Sequence, residues 1–277
     1  MSTDLGASED RTLAPGNGFL GDTWVNMRRW LLKSVRNPFI VTSSIVQPLI
    51  FLVLFSQVFG QVTGGAIGGP GQNVEYISFL LPAIIIQVSL VAAASSGIGL
   101  VNDIETGMFA KALVSPMNRG AVFLGKTLAE VARICVQIII VVVVGVLLGA
   151  NIATGFLGVL ALMLIGILFS IWFTALSNVV GIQTGDTEST IIAVNFLQLP
   201  LLFVSSAFLP VDRLPQWIQY ISAVNPITYG VDAARALVIT GWEWNTILPS
   251  IAILVALDLV LTGIALVVLR RATSASV

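Results

Sequence analysis

The chain has 277 residues, of which 56% are hydrophobic and only 10% are charged, and its mean hydropathy is +0.97. Soluble domains carry roughly 25% charged residues, so this composition excludes an ordinary soluble protein and predicts one that lies in a bilayer. The absence of histidine removes the commonest metal ligand, and the single cysteine, Cys135, excludes an intramolecular disulfide. We expect no metal centre and no nucleic-acid partner, although the net charge of -1 by itself says nothing about nucleic acid.

The N-terminal segment is polar and acidic, which predicts a disordered cytoplasmic tail at residues 1–21. Residues 22–37 then combine apolar side chains at near-helical spacing with basic ones. This pattern predicts an interfacial helix, with its apolar side in the lipid and its basic side toward anionic headgroups, or alternatively a solvated basic helix. Its apolar positions are Trp24, Met27, Leu31 and Val35, and its interfacial residues are Arg28, Arg29, Trp30, Lys33 and Arg36.

Six apolar stretches follow, each near the roughly 20 residues that cross about 30 Å of hydrocarbon. Only helices satisfy their own backbone in lipid without closing a barrel. The predicted fold class is therefore an all-α membrane protein with six transmembrane helices, forming one membrane domain over residues 22–277. The predicted spans are about 39–59, 78–101, 121–149, 155–180, 188–209 and 247–269.

Lysine and arginine are concentrated before the first span, between the second and third spans, and after the sixth. These three sites lie on one side of the membrane when the spans number six, and the positive-inside rule makes that side cytoplasmic. The sequence therefore predicts a multi-pass protein of the cell membrane with cytoplasmic N- and C-termini.

Most of the mid-chain charge lies between the second and third spans, from Asn102 to Gln137. Gly107 breaks the preceding helix, and a short amphipathic helix is predicted from Met108 to Val114. Pro116 ends it, because proline disfavours α geometry in the residue before it. A short charged helix between two spans lies against the membrane surface, where a cytoplasmic partner can push it.

A phosphate-binding pattern, G-x-x-x-x-G-K-[ST], is present at Gly120, Gly125, Lys126 and Thr127. The pattern has chemical meaning between a core strand and a helix of a soluble α/β domain, whose backbone N–H groups surround the phosphates. Here it follows a proline turn and leads into an apolar run long enough to enter a bilayer. We interpret it as a chance match and expect no catalytic site and no bound cofactor in this chain.

The segment between the fifth and sixth spans contains a predicted apolar helix face at i, i+3, i+4 and i+7. Asn225 and Pro226 end that helix, and a second helical piece is predicted from Ile227 to Ile239, in which Asp232 and Arg235 can pair. We expect two short re-entrant helices that dip into the outer leaflet. The apolar face comprises Trp217, Tyr220, Ile221 and Val224.

Polar side chains inside spans face the bundle, a partner or a cavity. Gln87 and Ser95 lie on the second predicted span, Asn195 and Gln198 share a face of the fifth, and Ser205 follows them. Two roles are open for these five residues: packing between helices, or lining a path for substrate.

Charged residues inside spans need a partner or a proton. A carboxylate at mid-span costs about 2.5–3.5 kcal/mol on insertion scales. Asp258 is therefore expected to be either a neutral acid bonded to a neighbouring helix or part of an ion path. Glu130 and Arg133, three residues apart near the start of the third span, are expected to pair.

Two segments resemble the permease subunit of ABC-2 type transporters, the family of daunorubicin-resistance-like exporters. One is LVSPMNR at residues 113–119, followed by Gly125 and Lys126. The other runs from FLP at residues 208–210 through PQW at 215–217 to NPITYGVDAAR at 225–235. The resemblance covers nearly the whole chain after the tail.

The resemblance implies a coupling helix, on which an ATP-hydrolysing subunit docks, and an interfacial helix that flanks the same groove. The re-entrant helices, with Trp217, Asn225, Pro226 and Tyr229, would cap the exit. Two permeases and two ATPases would form the working unit, with Mg-ATP bound only by the ATPases and substrate moving along the second and fifth spans. The implied docking residues are Glu105, Gly107, Met108, Phe109, Lys111, Leu113, Pro116 and Arg119.

The resemblance implies an export permease, driven by a separate ABC ATPase, for a hydrophobic or amphipathic substrate such as a drug, a lipid or a glycolipid. A homodimer of permeases in contact with membrane lipid is expected. A secondary transporter or channel that uses Asp258 is the alternative, and a membrane-embedded enzyme is a third reading. The direction of transport, export or import, stays open.

Overall fold

The computed structural model describes residues 18–36, 38–62, 75–107 and 119–274, and every regular element in these ranges is helical. The predicted all-α fold is therefore confirmed. A short 3₁₀ turn at Val211–Arg213 and a π-helical turn at Ala236–Thr240 complete the described elements. The α-helices are α1 (Gly18–Arg36), α2 (Pro38–Val62), α3 (Tyr76–Glu105), α4 (Arg119–Leu147), α5 (Gly155–Thr184), α6 (Thr187–Phe203), α7 (Gln216–Val224), α8 (Pro226–Arg235) and α9 (Trp244–Ser274).

Within the described ranges, four helical segments are long and apolar enough to cross a membrane. They belong to α3, α4, α5 and α9, at the second, third, fourth and sixth predicted spans. The first and fifth predicted spans are also apolar helices, but their apolar parts are shorter. The four long segments are Tyr76–Glu105, Leu124–Leu147, Gly155–Thr184 and Trp244–Val268, and the two shorter ones are Ser44–Gly60 and Thr187–Phe203.

Several helix ends differ from the prediction by a few residues, and α5 and α9 continue to Thr184 and Ser274 rather than to residues 180 and 269. α1 begins at Gly18, inside the segment that was predicted as a tail, and α3 continues to Glu105 rather than ending near Val101. α6 ends at Phe203, whereas the fifth span was predicted to continue to residue 209. The side-chain amide of Asn225 donates to the carbonyl oxygens of Leu201 (2.6 Å) and Val204 (2.8 Å). A side chain that is distant in sequence therefore bonds carbonyl groups at the end of α6, where the helix itself supplies no donor.

The central element is α3, because 94% of its apolar membrane-spanning stretch is buried inside the protein. It packs against α2, α4, α5, α6 and α8. Its N-terminal half fills the core with large side chains such as Leu80, Ile84 and Leu90, all fully buried. Its C-terminal half is lined with alanine, serine and glycine between residues 92 and 99, which allows neighbouring helices to approach closely.

The closest approach joins α3 to α5. A Cβ atom at Gly97 would overlap the side chain and backbone of Ser177, and one at Gly181 would lie 2.6 Å from Cγ2 of Val101. The hydroxyl of Ser177 donates to the carbonyl of Ala94 at 3.0 Å. Each helix therefore contributes one glycine to the close contact, and an interhelical hydrogen bond also joins the two helices.

Large apolar side chains cover much of the outside. Phe196 on α6 is 79% exposed and Leu259 on α9 is 72% exposed, and α2 exposes Ile50, Leu54 and Val58. An exposed apolar surface of this extent is unfavourable in water and favourable against lipid tails. The exposed faces therefore agree with the composition in predicting a bilayer environment.

We expect Gly97→Ala to lower the free energy of unfolding by about 1–3 kcal/mol, because the new methyl group would push α3 away from α5. Gly99→Ala is the matched control on the same helix, because a Cβ atom there has no neighbour within 4 Å. That control should be neutral or slightly stabilising, since alanine favours the helix. Thermal unfolding of the two purified variants in detergent measures the difference, and equal melting temperatures would contradict the packing described.

Candidate functional site

The C-terminal end of α3 and the N-terminal end of α6 are joined by hydrogen bonds. The carboxylate of Glu105 accepts from the backbone N–H (2.9 Å) and the hydroxyl (2.6 Å) of Thr187, the first residue of α6. Asp186 caps the same helix by accepting from the backbone N–H of Ser189 at 2.8 Å, and this bond lowers the pKa of Asp186. A displacement of the end of α3 is therefore transmitted to α6.

The predicted docking segment begins at the end of α3. Gly107 has a φ of +69° and follows the last helical turn, so it ends the helix as the sequence predicted. Arg119 is the first residue of α4, and only its backbone is described. The remaining predicted docking residues lie outside the described residues: Met108, Phe109, Lys111, Leu113 and Pro116.

The residues that match the phosphate-binding pattern, Gly120 to Thr127, lie inside the continuous helix α4. Helical N–H groups are bonded along the helix axis, so the pattern lacks the loop on which phosphate binding depends. Gly125 instead allows α1 to cross α4, since a Cβ atom there would lie 2.7 Å from Cβ of Asn26. Lys126 extends to α3 and donates to the carbonyl of Ser96 at 3.4 Å.

The first helix, α1, packs along α4 with its polar side inward. Asp22, Thr23 and Asn26 are buried, whereas Trp24 and Val35 of the predicted apolar stripe are exposed. Such an arrangement suits a helix whose outer side contacts lipid. The other two stripe residues, Met27 and Leu31, are half-buried, and the basic residues Arg28, Arg29, Lys33 and Arg36 are exposed.

The five residues predicted to line a substrate path do not lie on one surface of this chain. Gln87, Gln198 and Ser205 are buried, Ser95 is half-buried and Asn195 is exposed. Ser95 and Ser205 donate to carbonyl oxygens of their own chain segments, those of Val91 and Leu202. Asn195 and Gln198, predicted to share a face of α6, therefore have different surroundings, and Asn195 points away from the core of the single chain.

The N-terminal end of α3 is joined to α8 by an arginine clamp, which consists of Arg235, Asp232, Ser206 and Phe79. Arg235 pairs with Asp232 at 3.3 Å, as predicted, and donates to the carbonyl of Ser206 at 2.8 Å. Its guanidinium lies 3.8 Å from the centre of the Phe79 ring, and Ser206 donates to Asp232 at 2.7 Å. The clamp fixes α8 against both α3 and the turn after α6.

Asn225 connects the two short helices α7 and α8 to α6. Its side-chain oxygen accepts from the backbone N–H of Ile227 at 3.0 Å, so it caps α8, while Pro226 occupies the first turn. Tyr229 donates to the carbonyl of Ala223 at 2.5 Å. Trp217 is exposed on α7 together with the rest of the predicted apolar face: Tyr220, Ile221 and Val224.

Two charged residues inside the helices have unexpected surroundings. Arg133 donates to the carbonyl of Ala92 on α3 at 3.1 Å. The charge of Glu130 acts on Arg133, but the two side chains form no direct ion pair, so the prediction of a direct pair is wrong. Asp258 is 7% exposed and faces Trp172 on α5. Its Oδ1 atom and the Nε1 atom of Trp172 have no hydrogen-bond partner in the part of the chain that the structure describes.

Sequence reasoning missed the contacts that Lys126 and Gly125 make, because their partners are distant in sequence. Lys126 reaches Ser96 on α3, and Gly125 meets Asn26 on α1. The spacing of glycine and lysine matched a familiar pattern of another fold, and no local signal distinguishes that pattern from a helix crossing.

The fold and these sites define a helical membrane protein with exposed apolar faces, two helix ends joined through Glu105 and Thr187, and two short helices, α7 and α8. Residues 21–239 match the family model described as "ABC-2 type transporter". The chain therefore belongs to the ABC-2 type transporter family, and it is a multi-pass membrane subunit of an ABC transporter. The family implies an ABC ATPase as partner.

Similar proteins cover most of the chain. It is 30% identical over 215 residues to a daunorubicin resistance ABC transporter permease protein of Streptomyces coeruleorubidus, covering 78% of this chain and 74% of that protein. It is 30% identical over 223 residues to a putative transport permease of Cyanophora paradoxa, covering 79% and 74%. A probable doxorubicin resistance permease of Mycobacterium tuberculosis is 24% identical over 223 residues, covering 80% and 79%.

Proposed function

We propose that this chain is the permease subunit of an ABC exporter and that a separate ATPase subunit drives it from the cytoplasm. The observation that carries the proposal is the bond between Glu105 and Thr187, which joins the end of α3 to α6 directly before the predicted docking segment. A force on that segment moves a central buried helix and a lipid-exposed helix together. Such a linked pair is suited to rigid-body switching between inward-facing and outward-facing states.

The proposed topology has six transmembrane helices, with α2 and α6 added to the four long ones. α6 has 17 residues and is about 26 Å long at 1.5 Å per residue, close to the hydrocarbon thickness. Both termini are cytoplasmic in this arrangement, which places the chain in the cell membrane with α7 and α8 as outer, re-entrant helices. The exposed apolar face of α7 supports their contact with the outer leaflet.

The proposed substrate is a hydrophobic or amphipathic molecule of the drug, lipid or glycolipid class. The names of the relatives from Streptomyces coeruleorubidus and Mycobacterium tuberculosis, which refer to daunorubicin and doxorubicin resistance, support the drug class and a role in antibiotic resistance. Mg-ATP binds to the partner ATPase, and this chain holds no cofactor.

We propose a homodimer of permeases in which substrate moves between the two copies. Asn195 is an exposed amide on the apolar side of α6, where Ile192, Phe196 and Leu199 are also exposed. A polar side chain that faces lipid is unfavourable, so this position is better suited to a second copy or a path between copies. The same face therefore supports both the dimer and the location of the path.

A secondary transporter or channel is the second candidate function, and the observation that favours it is the buried, unpartnered Oδ1 atom of Asp258. A single carboxyl group is also compatible with a neutral acid packed between α5 and α9. Membership of an ATP-driven family favours the permease.

We expect Phe109→Ala to reduce recovery of the ABC ATPase with the tagged chain by at least about threefold, because a buried aromatic contact in an interface is worth roughly 1 kcal/mol or more. Recovery from native membranes is measured by quantitative mass spectrometry. Trp217→Ala is the control, since it also removes an aromatic side chain but at the predicted outer end. Glu105→Ala is less selective, since it also breaks the bond to Thr187.

Undiminished recovery with Phe109→Ala, or equal loss with Trp217→Ala, would contradict docking at this segment.

We expect Asn195→Cys, in a chain whose only native cysteine is replaced by Cys135→Ser, to form a disulfide-linked dimer under mild oxidation in membranes. Leu259→Cys in the same background is the control, because Leu259 is equally exposed to lipid but lies on α9. Non-reducing electrophoresis measures the linked fraction. Linkage through residue 259 and not through residue 195 would place the dimer contact on α9 instead of α6 and would contradict the proposed dimer.

A further inference from the structure

Three basic side chains converge on one indole ring at the cytoplasmic side of the structure. The ammonium groups of Lys33 and Lys126 lie 4.7 Å and 5.4 Å from the centre of the Trp30 ring, and the guanidinium carbon of Arg29 lies 5.9 Å from it. Two come from α1 and the third from α4. We name these four residues, Arg29, Trp30, Lys33 and Lys126, the Trp30 cluster.

The Trp30 cluster has more positive than negative charge. Asp103, at 3.3 Å from Lys33, is the one carboxylate within ion-pair distance of its three cations in the described ranges. Glu130 lies one helical turn beyond Lys126 and forms no ion pair with it. Three cations and one carboxylate give a net charge of +2. The three cations therefore lie close together although like charges repel.

The cluster also contains an unused hydrogen-bond donor. The Nε1 atom of Trp30 is buried and has no acceptor among the residues that the structure describes. Buried donors are nearly always bonded in folded proteins, so this N–H group is a donor whose bonding capacity the described residues leave unused. Cations around such an N–H group form a site for an anion with several oxygen atoms.

The position of the cluster indicates which anion is available. Lys126 lies two residues after Leu124, where the apolar segment of α4 begins, so its ammonium group is near the boundary between water and hydrocarbon. α1 exposes Trp24 and Val35 alongside the basic residues, as expected for a helix in contact with lipid. The anions concentrated at this depth are lipid headgroups.

We propose that the Trp30 cluster binds the phosphodiester headgroup of an anionic phospholipid in the cytoplasmic leaflet. Lys126 and Arg29 supply charge to the phosphate oxygens, and the indole N–H of Trp30 donates to one of them. The proposed site also gives a role to Lys126, the lysine of the phosphate-binding pattern. It binds the phosphate of a lipid headgroup rather than that of a nucleotide. Because α1, α3 and α4 meet here, a bound lipid would stabilise their junction.

The proposal is independent of the ATPase partner, so it can fail while the proposed function stands, and the reverse also holds. Three other occupants are outcomes of the test. A nucleotide would use the same lysine, an acidic surface of the ATPase would cover the same face, and general attraction to a charged membrane would involve every basic residue of α1 equally.

The test uses the full chain, delipidated in a neutral detergent and titrated with dioleoyl phosphatidylglycerol or dioleoyl phosphatidylcholine while its melting temperature is followed. Inorganic phosphate and Mg-ATP are titrated separately. We expect phosphatidylglycerol to bind about tenfold more tightly than phosphatidylcholine, and Lys126→Gln to remove that preference, because charge-assisted bonds of this kind account for about tenfold in affinity.

The matched control is Arg28→Gln, which removes one exposed cation from α1, outside the cluster, and should change affinity by less than about twofold. Trp30→Phe retains a ring and loses the N–H donor, so it keeps the test decisive if Lys126→Gln folds poorly; it should weaken phosphatidylglycerol binding several-fold.

Equal effects of Arg28→Gln and Lys126→Gln would overturn the proposal in favour of general attraction. Binding of Mg-ATP or inorganic phosphate that depends on Lys126, without a preference for the anionic lipid, would overturn it in favour of a soluble phosphate site. The same titration of the complex with the ATPase should retain the lipid preference, and its complete loss there would assign the surface to the ATPase.

Discussion

The close contact between α3 and α5 is the constraint on which the rest of the structure depends. In lipid, apolar side chains gain little by leaving their surroundings, so helices associate through tight packing of small residues and through interhelical hydrogen bonds. Gly97 and Gly181 supply that packing, and Ser177 supplies a bond to the carbonyl of Ala94. The contact places α3 at the centre, where α2, α4, α6 and α8 pack against it, while α9 packs against α5.

Because α3 is central, polar contacts at its two ends connect opposite sides of the molecule. At its N-terminal end the arginine clamp joins it to α8, and at its C-terminal end Glu105 joins it to α6. Between these ends the helix is closely surrounded, and packed interiors transmit strain. A movement imposed at the C-terminal end of α3 therefore has a continuous structural route to α8, as the proposed permease requires.

Structural features that depend on local sequence patterns were predicted from the sequence. Apolar length predicted the long helices, Asn225 and Pro226 predicted the break between α7 and α8, and the spacing of Asp232 and Arg235 predicted their ion pair. Contacts between distant segments could not be predicted. The carbonyl of Ala92 replaces Glu130 as the partner of Arg133, and Asn225 ends α6 by binding Leu201 and Val204. A side chain's local spacing says which partners are possible, but tertiary packing decides among them.

The central claim is that this chain supplies a membrane conduit and that ATP hydrolysis belongs to another subunit. The most direct measurement compares ATP hydrolysis by the purified chain in proteoliposomes with hydrolysis by the complex purified together with its ABC ATPase. The account predicts no hydrolysis above that of empty liposomes for the chain alone and ready hydrolysis by the complex. Hydrolysis by the chain alone, lost on Lys126→Met, would contradict the account.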